Sequence, residues 1–473
     1  MKTIAKGLFL IICFGPIGAY AQILNFQHII VIVQENRTPD NLFQGLCKSP
    51  SPSVSFCSTT PNPSQYNIQT SDWLDKRSST GVTQPTPVAL ANEYDLSHAH
   101  SAFVKMCDAD PATGACRMDG AADIVCSGTC PAKPQFKFVD NSTGILTPYI
   151  QLASEYGWAN YMFQTNQGPS FPAHQFLFGG TSAPSAADDA AGIFAAENMS
   201  GAATTAGCIA EASTTVELIT PTGENKSVYP CFEHSTMADL LAVSFTWRYY
   251  TPSAGSIWTA PNAIQHICLS SGPGGKCTGQ DWSKNVDLKP ANVLTDISNC
   301  HLRSVSWVVP TGANSDHASS NDGGGPSWVA SIVNAVGNSK TCDNNTGYWA
   351  NTAIFITWDD WGGWYDHEPP IILAQPQGDY QYGFRVPLIV VSAYTPASIN
   401  NVRHDFGSIL RFIEHNFGMR EGALNFADAR ATSDLSGFFN LNRAPRPFQT
   451  ISAEKDASFF LNDKRPATDP DDD

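Results

Sequence analysis

The sequence predicts an α/β fold, a mostly parallel central sheet flanked by helices, on three observations. Short apolar runs containing Val or Ile recur along the 473 residues. Helical patterns lie between these runs. The runs are nearly continuous in hydrophobicity, which suits strands buried on both faces of a sheet. Strands alternating with helices imply layers of helix packed on a parallel sheet.

The elements follow in chain order. Residues 28–33 form the first predicted strand, ending at polar Gln34. Residues 147–156 read as a helix, with Thr147 as N-cap and Pro148 at the first helical position, where its missing N–H is harmless. A further helical pattern begins near His174, and another spans 236–242. Residues 305–309, 353–357 and 388–392 are predicted strands, each bounded by turn or polar residues. Residues 406–417 give the clearest helix, with Ile409, Phe412 and Ile413 on one face. The stretches 47–85, 183–230 and 268–300 are rich in Cys, Gly, Ser and Asn. They read as long Cys-containing excursions from the sheet, placed to cover the face that carries the site. No repeat or clean linker divides 22–462, which reads as a single domain. Residues 463–473 read as an acidic, flexible tail.

Residues 1–21 read as a secretory signal peptide. Lys2 and Lys6 precede a short apolar segment from Leu8 to Phe14, and Ala19-Tyr20-Ala21 is a small-x-small cleavage site. The apolar segment is too short to span a bilayer, and no later run of 18 apolar residues follows. The mature chain is therefore expected to lack an integral membrane segment and to be secreted or periplasmic. Twelve cysteines remain beyond Cys13, an even number that suggests disulfides in an exported chain. Local pairs Cys47–Cys57, Cys208–Cys231 and Cys268–Cys277 fit, although spacing does not fix connectivity. Cys126 and Cys130 read as a disulfide or two loop thiols, because no matching Cys or His pair follows at zinc-finger spacing.

With 42% hydrophobic and only 15% charged residues, the chain can bury a substantial core. Its 27 Lys and Arg against 43 Asp and Glu give a formal charge of -16, and removing Lys2 and Lys6 takes it to -18. That balance argues against nucleic acid as a partner and against strong attraction to anionic lipid.

Three polar clusters carry candidate chemistry, two of them directly after predicted strands, where α/β sheets bind ligands. In Gln34-Glu35-Asn36-Arg37, a carboxylate and an amide oxygen side by side can ligate a hard or borderline cation. A polar turn capping a strand is the plain alternative. Asn36-Arg37-Thr38 also matches a glycosylation sequon, but a strand end within a site is poorly accessible. In Asn166-Gln167-Gly168-Pro169-Ser170-Phe171-Pro172-Ala173-His174, two prolines and a glycine make a rigid bend. A serine on that bend can face a helix N-terminus, whose N–H groups favour anions. Its hydroxyl is a weak nucleophile until a base or metal activates it, and an ordinary turn serine is the alternative. In Thr357-Trp358-Asp359-Asp360-Trp361-Gly362-Gly363-Trp364-Tyr365-Asp366-His367, adjacent carboxylates repel each other, and a cation relieves that repulsion. His367 adds a ligand or proton donor. Trp358, Trp361, Trp364 and Tyr365 either line a mouth for an amphipathic substrate or belong to the core. His98 and His317 also stand in polar settings, where either can donate to a phosphoryl oxygen or leaving group.

Together and in this order, the motifs resemble the bacterial phosphoesterase family that contains phospholipase C enzymes and a related acid phosphatase. His28-Ile-Ile-Val-Ile-Val-Gln-Glu35-Asn36-Arg37 resembles its opening strand and Glu-Asn-Arg. Gly168-Pro169-Ser170-x-Pro172 is similar to its Gly-Pro-Thr/Ser-x-Pro nucleophile turn. Asp316-His317 matches a later acid-His pair, and Trp358-Asp359-Asp360-x-Gly362-Gly363-x-x-Asp366-His367 its acidic, double-glycine signature. Arg385-Val386-Pro387 and the segment from Ser408 to Glu414 resemble two C-terminal landmarks. The resemblance implies an alkaline-phosphatase-like α/β sandwich with Ser170 as nucleophile. It implies one or more divalent metal ions at Glu35, Asn36, Asp359 and Asp360. His98 and His317, with His367 as a further member, would hold or protonate the phosphoryl group. The implied function is hydrolysis of phosphate esters, of phospholipase C type on phospholipids, with an acid phosphatase acting on small soluble phosphate esters as the alternative. Ser170 stands where many phospholipases C carry Thr, and Asp360 where many carry Glu; the serine resembles the acid phosphatase branch. A secreted binding protein without turnover, using the aromatic loops, is a third reading, and it has no need of the nucleophile turn and ligand set.

Overall fold

The computed structural model describes residues 26–48, 56–200, 205–372 and 382–468. The signal segment 1–21 and tail residues 469–473 lie outside these. At the centre is an eight-stranded sheet. Its order across the sheet is Val286–Asp287, Trp247–Tyr250, Val305–Val308, His28–Gln34, Thr352–Trp358, Leu388–Ser392, Gly157–Phe163 and Ser398–Asp405. His28–Gln34 and Thr352–Trp358 are buried along almost their whole length, as their continuous apolar sequences predict.

Neighbouring strands are parallel with one exception. Leu388–Ser392 runs antiparallel to both Thr352–Trp358 and Gly157–Phe163. A strand apolar on both faces packs equally well in either direction, so its hydrophobicity carries no record of polarity. Helices cover both faces of the sheet. Phe355 meets Phe412 of helix Phe406–Asn416, with ring centroids 5.0 Å apart. Trp358, three residues on and therefore on the opposite face, meets Tyr149 of helix Thr147–Glu155 at 5.2 Å.

Helix Thr147–Glu155 has Leu146 as its N-cap, so Thr147 and Pro148 are its first two residues, one position from the predicted register. Helix Phe406–Asn416 starts in a reciprocal cap between Asp405 and Ser408. The excursion at 183–230 contains a three-stranded antiparallel sheet, Phe194–Ser200, Thr215–Thr220 and Gly223–Val228. The three expected local disulfides are present, together with Cys107–Cys116, Cys126–Cys130 and Cys300–Cys342. The described part of the tail lies against the body: Arg465 pairs with Asp322 and Asp463, and Thr468 O accepts from Gly312 N. Among the described residues, no helix is long and apolar enough to cross a membrane.

Candidate active site

Sheet register brings the first and third clusters together. His28–Gln34 and Thr352–Trp358 are parallel neighbours, paired from His28 with Thr352 to Gln34 with Trp358. Glu35-Asn36 and Asp359-Asp360 therefore leave the carboxyl edge of the sheet side by side. Asp359 N donates to Gln34 O at 2.9 Å, and Arg37 N to Asp360 O at 3.0 Å. Asp359 Oδ1 accepts from Asn36 N at 3.1 Å and Asp360 N at 2.7 Å. Asp360 Oδ1 accepts from Gly362 N at 2.7 Å. All four side chains are fully buried.

Asn36 is held at φ 62°, a left-handed conformation rare outside glycine. Gly362 is what allows it: a Cβ there would lie 2.4 Å from Asn36 O. Gly362 thus lets one strand-end loop close onto the other, while Gly363 lets the same loop approach Leu96 and Ser97, where a Cβ would lie 2.5 Å from Leu96 Cβ.

Helix Ser170–Gly179 carries the serine of the second cluster at its first position. It begins at Ser170, with Pro169 as N-cap, and not near His174 as the sequence reading placed it. Ser170 Oγ donates to Asp360 Oδ2 at 3.2 Å. The earlier start puts Ser170 and His174 at i and i+4, on one face of the helix. His174 therefore joins the site. Its Nε2 lies 3.3 Å from Glu35 Oε1 and 3.7 Å from Asp359 Oδ2, all three side chains fully buried. The i, i+4 spacing was the sequence signal for this residue, usable only with the helix start in the right place.

His174 has a defined tautomer. Tyr249 OH donates its one proton to Trp258 O at 2.7 Å, so the same oxygen accepts from His174 Nδ1–H at 3.2 Å. In the neutral ring, Nε2 then presents a lone pair toward Glu35 and Asp359. Lone pair facing carboxylate is repulsive unless a cation stands between them or the ring takes up a proton and pairs with the carboxylates itself. Asn36 Oδ1 and Asp359 Oδ2 are likewise buried acceptors that receive no hydrogen bond among the described residues. These donors fit a divalent cation, and His174 makes the set a mixed nitrogen–oxygen one rather than the all-oxygen set that Glu35, Asn36, Asp359 and Asp360 would give.

His98 and His317 border this centre. His98 Nε2 accepts from Asn36 Nδ2 at 3.2 Å, and its Nδ1 donates to Leu96 O at 2.9 Å. His317 Nδ1 donates to Ala318 O at 2.6 Å, and its ring lies 5.8 Å from that of His98. Behind His317, Asp316 Oδ2 accepts from Tyr149 OH at 2.8 Å and Trp358 Nε1 at 3.0 Å. Burial pushes the Asp316 carboxyl up to about 6, against the pull of the Arg37 guanidinium.

His367 sits in a second cluster. Its Nδ1 meets Asp40 Oδ2 at 2.7 Å and its Nε2 meets Asn67 Oδ1 at 2.8 Å. Arg385 completes this cluster through Asp366 Oδ2 at 2.9 Å and Asp40 Oδ1 at 3.5 Å. Trp358, Trp361, Trp364 and Tyr365 are fully buried, which settles their open alternative in favour of core. Tyr365 stacks on Trp73, and Trp364 lies under the Arg37 guanidinium.

A cavity of about 370 Å³ lies beside this centre, bordered by His98 and by Pro169 next to Ser170, and lined by Glu197, Asn198 and Glu217 among others. One wall is the three-stranded sheet of the 183–230 excursion, which packs on the turn at Gly168 and Phe171.

Comparison with known proteins matches residues 26–420 to the model of the Phosphoesterase family. A non-hemolytic phospholipase C of Pseudomonas aeruginosa is 24% identical over 263 residues, 49% of this chain and 37% of that protein. Phospholipase C B of Mycobacterium tuberculosis is 27% identical over 180 residues, 33% of each chain. A hemolytic phospholipase C of P. aeruginosa is 23% identical over 339 residues, 64% of this chain and 42% of that protein. The matched region spans less than half the length of each of these relatives. A family match running from the first strand past the last site motif places this chain in the phosphoesterase family.

Proposed function

We propose that this protein is a secreted phosphoesterase of phospholipase C type, with Ser170 as nucleophile. One observation carries the reading: Ser170, first residue of a buried helix, donates to Asp360 beside Glu35, His174 and Asp359. The names of the relatives support the substrate class.

In the first step, Ser170 Oγ attacks phosphorus and the ester P–O bond breaks, leaving a phosphoserine, and the departing oxygen takes a proton from a neighbouring acid and leaves as the alcohol. The Ser170 proton passes along its hydrogen bond to Asp360 Oδ2. In the second step, water attacks phosphorus, and Ser170 Oγ leaves and regains that proton. His317, as an imidazolium with Nδ1–H on Ala318 O, donates from Nε2 to a phosphoryl oxygen, His98 orients Asn36 through Nε2, and the helix N-terminus adds partial positive charge. A divalent cation held by Glu35, Asn36, Asp359, Asp360 and His174 would supply Lewis-acid charge to the serine oxygen and the phosphoryl group. His367, engaged by Asp40 and Asn67, is a positioning residue that anchors the end of the 359–367 loop.

Phospholipid cleavage releasing diacylglycerol is the leading substrate reading. Hydrolysis of soluble phosphomonoesters, as by an acid phosphatase, is the second. Burial of the four aromatic residues favours that second reading, since it removes the apolar mouth a lipid would use. Export rests on the signal sequence of residues 1–21 and on the six disulfides among the described residues. The N-terminus of the mature protein should be Gln22.

The test is hydrolysis of p-nitrophenylphosphorylcholine and p-nitrophenyl phosphate by wild type and Ser170→Ala, with and without chelator. Ser170→Ala should fold and lose turnover of both. The preferred substrate chooses between diesterase and phosphatase. Turnover surviving in Ser170→Ala removes the covalent scheme. No turnover by metal-supplied wild type moves the reading to a binding protein.

A further inference from the structure

We propose that Glu197 is the acid that protonates the departing alcohol, and the base that then activates water. The proposal rests on the phosphoesterase reading with Ser170 as nucleophile.

The placement of Glu197 follows from the strand that carries it. Strand Phe194–Ser200 runs against the nucleophile turn. A Cβ on Gly168 would lie 2.0 Å from Ala196 O, so only glycine lets the turn approach so closely. Asn198 Oδ1 accepts from Phe171 N at 3.0 Å. Glu197 stands between these two contacts, on a strand fixed to both sides of Ser170.

Ser170 and the carboxylates around it are fully buried, and the cavity bordered by His98 and by Pro169, the residue before Ser170, is the space beside them that would take the alcohol portion of an ester. Glu197 lines that cavity. Its Oε1 accepts from His100 N at 2.8 Å, which fixes the carboxyl group. The titratable groups around it are His98, His100, Glu217 and Glu224. The His100 ring pairs with Glu224 Oε1 at 2.6 Å and meets Gln167 Oε1 at 3.0 Å. Desolvation by burial is the largest influence on Glu197, and Glu224 adds to it. Together they push the carboxyl up to about 7, against the donated His100 N–H. The group is thus protonated in mildly acidic solution, as a donor to an alkoxide must be.

His98 serves this role less well. With Nδ1–H on Leu96 O and Nε2 accepting from Asn36, its neutral ring directs its one proton away from the cavity.

The proton balance closes. As Ser170 Oγ bonds to phosphorus and the ester P–O bond breaks, the Glu197 proton moves to the departing oxygen. The resulting carboxylate takes a proton from the water that displaces Ser170, which restores the acid for the next turnover.

The test uses the full purified chain and Glu197→Gln, which keeps the acceptor for His100 N. kcat/KM is measured from pH 4 to 9 on esters of one phosphoryl group with an aryl or an alkyl leaving group. The pairs are p-nitrophenyl phosphate with glycerol phosphate, and p-nitrophenylphosphorylcholine with glycerophosphocholine. p-Nitrophenolate leaves without a proton and an alkoxide does not. Glu197→Gln should lower alkyl turnover by about 10²–10⁴-fold. The aryl ester should fall by less than about tenfold, which also reports that the variant is folded. The wild-type alkyl profile should decline above about pH 7, and the variant should lack that limb. Equal losses on both esters, or full alkyl turnover in the variant, overturn the assignment. If wild type turns over neither ester, or Ser170→Ala turns over both, the underlying phosphoesterase reading fails instead.

Discussion

Tyr249→Phe removes one oxygen from the site and should weaken metal binding without touching the metal. In the wild type that oxygen accepts from His174 Nδ1–H at 3.2 Å and donates to Trp258 O at 2.7 Å. Phe fills nearly the same volume, so the change deletes two hydrogen bonds and little packing. Two neutral hydrogen bonds are worth about 0.5–1.5 kcal/mol each, so the metal-free protein should lose about 1–3 kcal/mol of stability. The metal effect is separate. Loss of a partner that orients a ligating histidine typically costs about 10–100-fold in affinity, or about 1.4–2.8 kcal/mol. The assay is calorimetric titration of metal-depleted protein with Zn²⁺ and with Mn²⁺ at fixed pH. His174→Ala should weaken binding further. Adding Tyr249→Phe to His174→Ala should weaken it no more, because the oxygen acts through the imidazole. A Tyr249→Phe variant that loses stability yet binds metal as wild type does would refute the assignment of His174 as a ligand.

Three further outcomes follow from the geometry. Gly362→Ala places a Cβ 2.4 Å from Asn36 O at φ +61°; it should cost about 1–3 kcal/mol in thermal unfolding and reduce metal affinity by displacing Asn36. Asp316 has a folded pKa of about 6 against about 3.9 unfolded, so the native state binds its proton more tightly. Stability from this group is present at pH 4 and is lost as pH rises through 6. The loss is on the order of 3 kcal/mol, and denaturant titrations of Asp316→Asn should show a flatter dependence across that window. Removing Cys300–Cys342, with a sequence separation of 42, should cost about 4 kcal/mol, whereas removing Cys126–Cys130, with a separation of 4, should cost about 2 kcal/mol, read as shifts in chemical denaturation.

The strands that hold the metal candidates were legible because both faces of each are buried, which writes an unbroken apolar run such as Ile29 to Val33. Gly157–Phe163 and Ser398–Asp405 were not read as strands. The first, Gly-Trp-Ala-Asn-Tyr-Met-Phe, is fully buried but mixes small, polar and aromatic residues; the second is largely polar and lies at the sheet edge. The reversed Leu388–Ser392 strand was visible as a strand but not in its direction. Within the site, Glu35, Asn36, Asp359 and Asp360 announced themselves as polar residues straight after apolar runs. His174 did not, because placing the helix start at His174 instead of Ser170 hid its i, i+4 relation to the serine. Tyr249 and Glu197 lie on elements distant in sequence from the motifs, and only the tertiary fold brings them in.

The contrast between the two buried carboxylate–histidine clusters bears on what each is for. Asp40, Asp366 and His367 form one, and Glu35, His174 and Asp359 the other. Both confront acidic groups with an imidazole away from water, where uncompensated charge is strongly disfavoured. The first cluster carries its own cation. The fully buried Arg385 reaches Asp366 through Nε and Nη2 and extends Nη2 toward Asp40. It also donates to Asn67 O and Asn160 O, so its hydrogen bonds lock loops together. The second cluster differs at Asp359, which pairs with no Lys or Arg nitrogen among the described residues and meets only the His174 ring. Hydrogen bonding there is also one-sided: Asp359 Oδ1 takes two backbone N–H donors while Oδ2 takes none. One cluster is compensated by a guanidinium, whereas Asp359 Oδ2 and Asn36 Oδ1 take no hydrogen bond among the described residues, and a cation from solution is the proposed source of the missing charge. The consequence is measurable: chelation should destabilise the protein as well as silence it, and Asp40→Asn, which disturbs the Arg385 cluster, should lower stability while leaving metal affinity at its wild-type value.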